Sequence, residues 1–149
     1  MANRRGFTLI ELLIVIAIIG ILAVVGMGFN FNASTRKAKD TRRRSDLHQY
    51  RIALENYASA TSGVYPVQAT VGSVGNICGA GKPLSTNYIA SCPTDPSSTA
   101  GFGYNYYSSD GSQYLLWGKL EYEGWWEICS DGRVGMVTTQ PSNSCTVTN

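Results

Sequence analysis

Histidine occurs once in the 149 residues, at position 48, among polar neighbours of a helical stretch. A nucleophile–base pair built on imidazole is therefore not expected, nor is a histidine-rich metal site. The four cysteines, Cys78, Cys92, Cys129 and Cys145, lack the close pairing of a zinc site, and no G-x-G-x-x-G phosphate loop occurs. Charge is nearly balanced, with 12 Lys and Arg against 10 Asp and Glu, so the overall count does not call for an acidic partner. With no cofactor motif and no catalytic constellation, neither an enzyme nor a bound cofactor is expected. Charge is scarcest near the N-terminus, where from Phe7 to Phe31 only Glu11 ionises.

Hydrocarbon fills that gap. Gly6 to Val25 reads GFTLIELLIVIAIIGILAVV. A bilayer core takes about 20 apolar residues of helix, so the run is long enough to span with some tilt. A cleaved secretory signal is excluded by length, since its apolar core is usually about 7–15 residues. The sequence NFNAS downstream also places Phe31 where such a cleavage site wants a small residue. A plain anchor explains the length but not Glu11, because a carboxylate at mid-bilayer costs about 2.5–3.5 kcal/mol, and less near an end.

Arg5-Gly6-Phe7-Thr8-Leu9-Ile10-Glu11, followed by LLIVIAIIGILA, resembles the class III signal of type IV prepilins and type II secretion pseudopilins, and the likeness runs from Arg5 to Ala23. The resemblance implies that a prepilin peptidase cuts between Gly6 and Phe7 on the cytoplasmic face and methylates the new Phe7 amine. It makes Glu11 the assembly glutamate. It also implies an inner-membrane assembly platform and self-assembly with identical or related subunits. The chain would first be a single-pass protein of the cytoplasmic membrane, N-terminus inside, and then part of a cell-surface pilus or an envelope-spanning pseudopilus. Two functions follow: a structural subunit of the polymer, or a minor, tip-located pilin that binds surfaces or DNA.

The residues suit that chemistry in their own right. Gly6 has no side chain, so an extended backbone can lie close to a protease. Glu11 sits one helical turn after Phe7, on the same face. In a filament cored by packed helices both charges would be buried, and a buried carboxylate must be paired or neutralise. An N-terminal amine, its own or a neighbour's, is the available partner, and the pair would fix axial register.

The chain divides into a leader (1–6), a membrane-spanning and assembly half of a stalk helix (7–31), a soluble half (32–63) and a head (64–149). The expected fold is α+β: a long N-terminal helix packed on a small antiparallel sheet, a pilin-like lollipop. Many relatives carry a proline in the stalk; this chain has Gly26 and Gly28 instead. Glycine costs a helix about 1 kcal/mol relative to alanine, which suits local melting or bending, but glycine is also common in membrane helices. Leu47, Tyr50, Leu54 and Tyr57, flanked by Ala53 and Ala58, form one stripe that should pack on the sheet. Gly63 is the expected C-cap, and Tyr65-Pro66 prevents resumption.

Between span and stripe lies a basic block, Arg36, Lys37, Lys39, Arg42, Arg43 and Arg44, against Asp40 and Asp46. Taken alone, the positive-inside rule puts this side in the cytoplasm. The processing motif demands the opposite and decides the matter, because a cytosolic cleavage site has no use on the other face. Three roles are open to the block: a solvated face, pairing with Glu121, Glu123 and Glu127 of neighbouring subunits, or contact with the DNA backbone, for which no aromatic interleaving speaks.

Val64 to Gly101 reads as an irregular loop rich in Gly, Ser, Thr and Pro. Two hairpins should follow, Gly103–Ser108 with Gln113–Leu120 and Trp125–Ser130 with Val134–Thr139, turning at Asp110-Gly111 and Asp131-Gly132. That makes four strands. Four cysteines allow three connectivities; Cys78–Cys92 and Cys129–Cys145 are expected, one closing the irregular loop and the other tying down a polar tail with no other evident anchor. Some pseudopilins bind calcium in such a loop, which makes Asp95 a candidate ligand, although Asp95, Asp110 and Asp131 are turn residues first.

Overall fold

The computed structural model describes residues 6–26, 31–97, 99, 101–122 and 124–148. They belong to two compact units, Met1–Ser34 and Thr35–Asn149.

The first unit contains helix α1, Leu9–Gly26. Every large apolar side chain from Leu9 to Val24 is about half exposed or more. A helix that is apolar all round has no single face to bury and needs apolar surroundings on every side. Among the described residues no helix is long and apolar enough to cross a membrane. The 18 residues of α1 come to about 27 Å at ~1.5 Å per residue, against a hydrocarbon core of about 30 Å. The described part of the helix runs to Gly26; the loosening expected around Gly28 lies outside the described residues.

Helix α2, Phe31–Ala60, contains neither glycine nor proline and is rich in Ala and Arg, both good helix formers. It stops in a Schellman arrangement, with the Gly63 N–H donating to the Ala58 carbonyl at 2.7 Å. The left-handed cap residue is Ser62 (φ 60°), and Gly63, the expected cap, follows it at φ 84°. From Asp40 onward the helix buries one face, and Leu47, Tyr50, Ala53, Leu54 and Ala58 have almost no exposed surface. The stripe read from the sequence is core.

Opposite that face lies a five-stranded antiparallel meander in chain order: β1 Gln68–Ser73, β2 Tyr104–Ser108, β3 Leu115–Lys119, β4 Trp125–Cys129 and β5 Val134–Val137. Four strands were expected. The fifth, β1, lies inside the segment read as irregular. It is an edge strand, bulged between Gln68 and Gly72, with most of its side chains in water, so no alternation marks it. At the bulge the Gln68 carboxamide donates to the Tyr106 carbonyl at 2.8 Å and takes over a ladder position. Both hairpin turns close as Asx turns: the Asp110 carboxylate accepts from the Ser112 N–H, and that of Asp131 from the Arg133 N–H.

The two faces of the sheet differ. Tyr104, Tyr106, Tyr114, Leu116 and Ile128 form the core with α2. Gly118 lets the helix come close, since a Cβ there would lie 3.0 Å from the Tyr104 ring and 3.4 Å from Leu47. The outer face carries Leu115, Trp117 and Cys129, packed with Tyr107, Trp125 and Cys145.

Candidate functional site

Thr8 precedes the first residue of α1, and Glu11 is the third residue of that helix. The Thr8 N–H donates to Glu11 Oε2 at 2.9 Å, and the Thr8 hydroxyl donates to the same oxygen at 2.8 Å. The Glu11 N–H returns a bond to Thr8 Oγ1 at 3.3 Å. This is a capping box. It satisfies donors that a helix start otherwise leaves open and puts a negative charge at the positive end of the helix dipole. Phe7 and Gly6, the residues on either side of the expected cut, are exposed and lie just outside the helix. Glu11 therefore has a partner before any subunit docks. The T-x-x-E spacing ahead of an apolar run was the available signal for this box.

In the basic block of α2, Arg36, Lys37, Arg42 and Arg44 lie exposed, as a solvated face would have them, and Arg43 does not. Arg43 is fully buried. Its Nε and Nη2 donate to the two oxygens of Asp95 at 2.8 and 2.9 Å, Nη1 to Asp40 at 2.9 Å and Nη2 to Glu121 at 3.3 Å. Its guanidinium lies over the Phe102 ring, 4.2 Å from the centroid. Lys39 reaches Glu121 at 3.8 Å, Arg42 lies 3.8 Å from Asp46, and Arg44 stacks on Trp126. Half-burial would push the Glu121 carboxyl up. The hydrogen bond and charge of Arg43, with Ser97 and Lys39, outweigh this and hold it below the usual value. Nearby, the Tyr104 hydroxyl donates to Asp46 at 2.6 Å; burial and that carboxylate push its phenol well up. Arg43 thus fastens the 95–97 loop and the turn after β3 to the helix.

Glu121 is paired with Arg43 and Lys39 of its own chain. Glu127 has no exposed surface: its carboxylate accepts the Thr146 hydroxyl at 2.6 Å and the Thr146 N–H at 3.1 Å. Glu123 lies outside the described residues. Asp95, the calcium candidate, has both oxygens in the Arg43 fork and a further bond from the Ser97 N–H. Among the described residues the one close set of potential metal ligands is Glu127, Cys129 and Cys145, and both its sulfurs are taken up in a disulfide.

Cys78 is bonded to Cys92 and Cys129 to Cys145, and no cysteine is free. The tail has more anchors than the disulfide. Besides the Glu127–Thr146 bonds, Arg133 Nη1 donates to the Val147 carbonyl at 2.7 Å, and Val147 sits against Gly135, where a Cβ would lie 3.0 Å from it.

A long helix laid on an antiparallel sheet, in a chain whose first helix is capped and apolar but for Glu11, is a pilin-like arrangement. Residues 1–27 match the prokaryotic N-terminal methylation motif, the class III signal peptide of type IV pilins and pseudopilins. No curated protein matches the chain.

Proposed function

We propose that this chain is the precursor of a structural subunit that polymerises into a type IV pilus or a type II secretion-like pseudopilus. Cleavage between Gly6 and Phe7 removes the leader and leaves a methylated amine at Phe7. Until assembly, α1 and its apolar flanks hold the chain in the cytoplasmic membrane with the N-terminus inside.

The observation that carries this reading is an uncovered helix that is apolar but for one carboxylate, Glu11, in its first turn. In the precursor, Thr8 satisfies Glu11 at a water-accessible helix end. Cleavage creates an ammonium next to Thr8, within a turn of the same carboxylate. When helices pack, that end leaves water, and a carboxylate held only by neutral donors becomes costly. A cationic amine from the same or an adjoining subunit removes the cost, and it does so in one axial register.

The test is Glu11→Ala in cells that carry the peptidase and the assembly platform. Insertion and cleavage should continue while filament yield collapses. Filaments at normal yield would defeat the register mechanism. Glu11→Gln keeps a capping acceptor but not the charge, so it should fail in assembly as Ala does.

A further inference from the structure

Two tyrosines far apart in the chain share one carboxylate. Glu55, an exposed residue of α2, accepts the Tyr65 hydroxyl at Oε2 and the Tyr114 hydroxyl at Oε1, each at 3.0 Å. The two rings meet edge to face, with centroids 4.7 Å apart. We infer that Tyr65 and Tyr114 form an oxidation site: a peroxide acting by one-electron steps couples them into a dityrosine bridge, with Glu55 as the proton acceptor for both.

Ring contact alone does not single out this pair. Tyr57 and Tyr88 also meet edge to face, at 5.3 Å, and both are half-buried, but neither hydroxyl donates to a carboxylate among the described residues. Tyr50 and Tyr104 lie 5.9 Å apart; Tyr104 donates to Asp46, but Tyr50 is committed to the Pro93 carbonyl, and both rings are closed to solvent. Tyr65 and Tyr114 combine ring contact, a base within hydrogen-bond reach of each phenol and an entry point, since Tyr65 is half-buried while Tyr114 is 3% exposed. Burial first, and the Glu55 carboxylate next, push both phenols up, so each keeps its proton at neutral pH. A phenol that loses an electron alone becomes a strongly acidic radical cation. A base already on its proton lets electron and proton leave together, which avoids that species.

The oxidant takes one electron from Tyr65 while the phenol proton moves to Glu55, and the exposed carboxylate returns that proton to water. The radical passes to Tyr114 across the ring contact, its proton also going to Glu55, as Tyr65 regains an electron and a proton. A second oxidation at Tyr65 then leaves a radical on each ring. A C–C bond forms between carbons ortho to the hydroxyls, and the two ortho hydrogens move to the oxygens as the rings regain aromaticity. In sum the chain loses two electrons and two protons, and one peroxide takes up the two electrons as its O–O bond breaks.

The pair is held in place for this. The Tyr65 N–H donates to the Gly111 carbonyl at 2.8 Å, and the carbonyl of the next residue, Pro66, accepts the Tyr106 hydroxyl at 2.7 Å. The bridge ties the segment after α2 to the start of β3, which neither disulfide reaches. The inference is independent of filament assembly, because every residue it uses lies in the Thr35–Asn149 unit.

The test oxidises the full chain, dilute in detergent, with persulfate and photoexcited ruthenium trisbipyridine. The monomeric product should show dityrosine fluorescence, be lighter by two hydrogens, and give a Tyr65–Tyr114 linked peptide after the disulfides are reduced. Tyr65→Phe and Tyr114→Phe should each abolish that peptide. Glu55→Gln changes an exposed side chain and keeps an acceptor but not the base, so it should melt like the parent while bridge formation slows about tenfold. A bridge that maps to Tyr57–Tyr88 instead, a monomer without any bridge, or an unchanged rate in Glu55→Gln would overturn the inference.

Discussion

Arg43→Ala is the substitution whose consequence the structure specifies most fully. The side chain has no exposed surface and donates four hydrogen bonds to three carboxylates, those of Asp40, Asp95 and Glu121. Removing it leaves these groups facing one another, with Lys39 3.8 Å from Glu121 and no longer assisted by the buried guanidinium. Taking one partner from a buried ion pair costs about 3–5 kcal/mol, a large share of the roughly 5–15 kcal/mol that holds a domain together. For a unit of this size the melting temperature should fall by roughly 10–20 °C. The pH dependence should change sign as well. In the parent chain the Glu121 pKa is lowered, so its contribution is fully present above the unfolded value near 4.5 and is lost as pH falls through the folded value. Without Arg43, burial and two like charges push that carboxyl up instead. The variant should then gain stability as pH drops from 7 toward 5, where the parent is flat. Thermal unfolding of the full chain in detergent, followed by tryptophan near-UV dichroism at both pH values, reads the two effects together. A loss below about 1 kcal/mol, or a variant with the parent's acid profile, would refute the buried-network reasoning. Arg43→Lys should fall between, since an ammonium cannot reproduce the fork.

Leu47→Ala should cost about 2–5 kcal/mol in urea unfolding, because Leu47 has no exposed surface and meets the sheet at Gly118; a cost near zero would remove it from the core. Gly124→Ala should destabilise the β3–β4 turn severely, since φ is +65° and the added Cβ would collide with the Val137 carbonyl; normal yield of folded protein would contradict this. Cys129→Ser should free the tail, lower stability by about 3 kcal/mol on the chain-entropy model, and shift tryptophan emission to the red as Trp117 meets water. An unshifted spectrum would mean that Glu127 and Arg133 hold the tail without the disulfide.

The helix stripe could be read from its spacing, and the hairpins from Asp-Gly turns between aromatic runs, because in both the buried residues recur at the period of the element. Strand β1 could not, since its pairing is made by backbone and by the Gln68 carboxamide while its side chains face water. Arg43 lies four residues before Leu47, seven before Tyr50 and eleven before Leu54, so it continues the buried stripe. Its place in the run Arg42-Arg43-Arg44 hides it, and its partners Asp95 and Glu121 are 52 and 78 residues away. The Glu127–Thr146 anchor was hidden for the same reason, as nothing local says that a carboxylate on a strand meets the tail. At the N-terminus the T-x-x-E box and the methylation motif share the same letters, so the assembly role proposed for Glu11 masked its capping role.

The N-terminus of the mature chain bears most directly on the claim that this is a pilin-like precursor. Intact mass of the protein, purified from membranes or sheared filaments of cells with an active prepilin peptidase, should correspond to a chain that begins at Phe7 and carries one methyl group, with both disulfides closed. A chain that keeps its leader in the presence of the peptidase, or one that begins after Ala33, would contradict it.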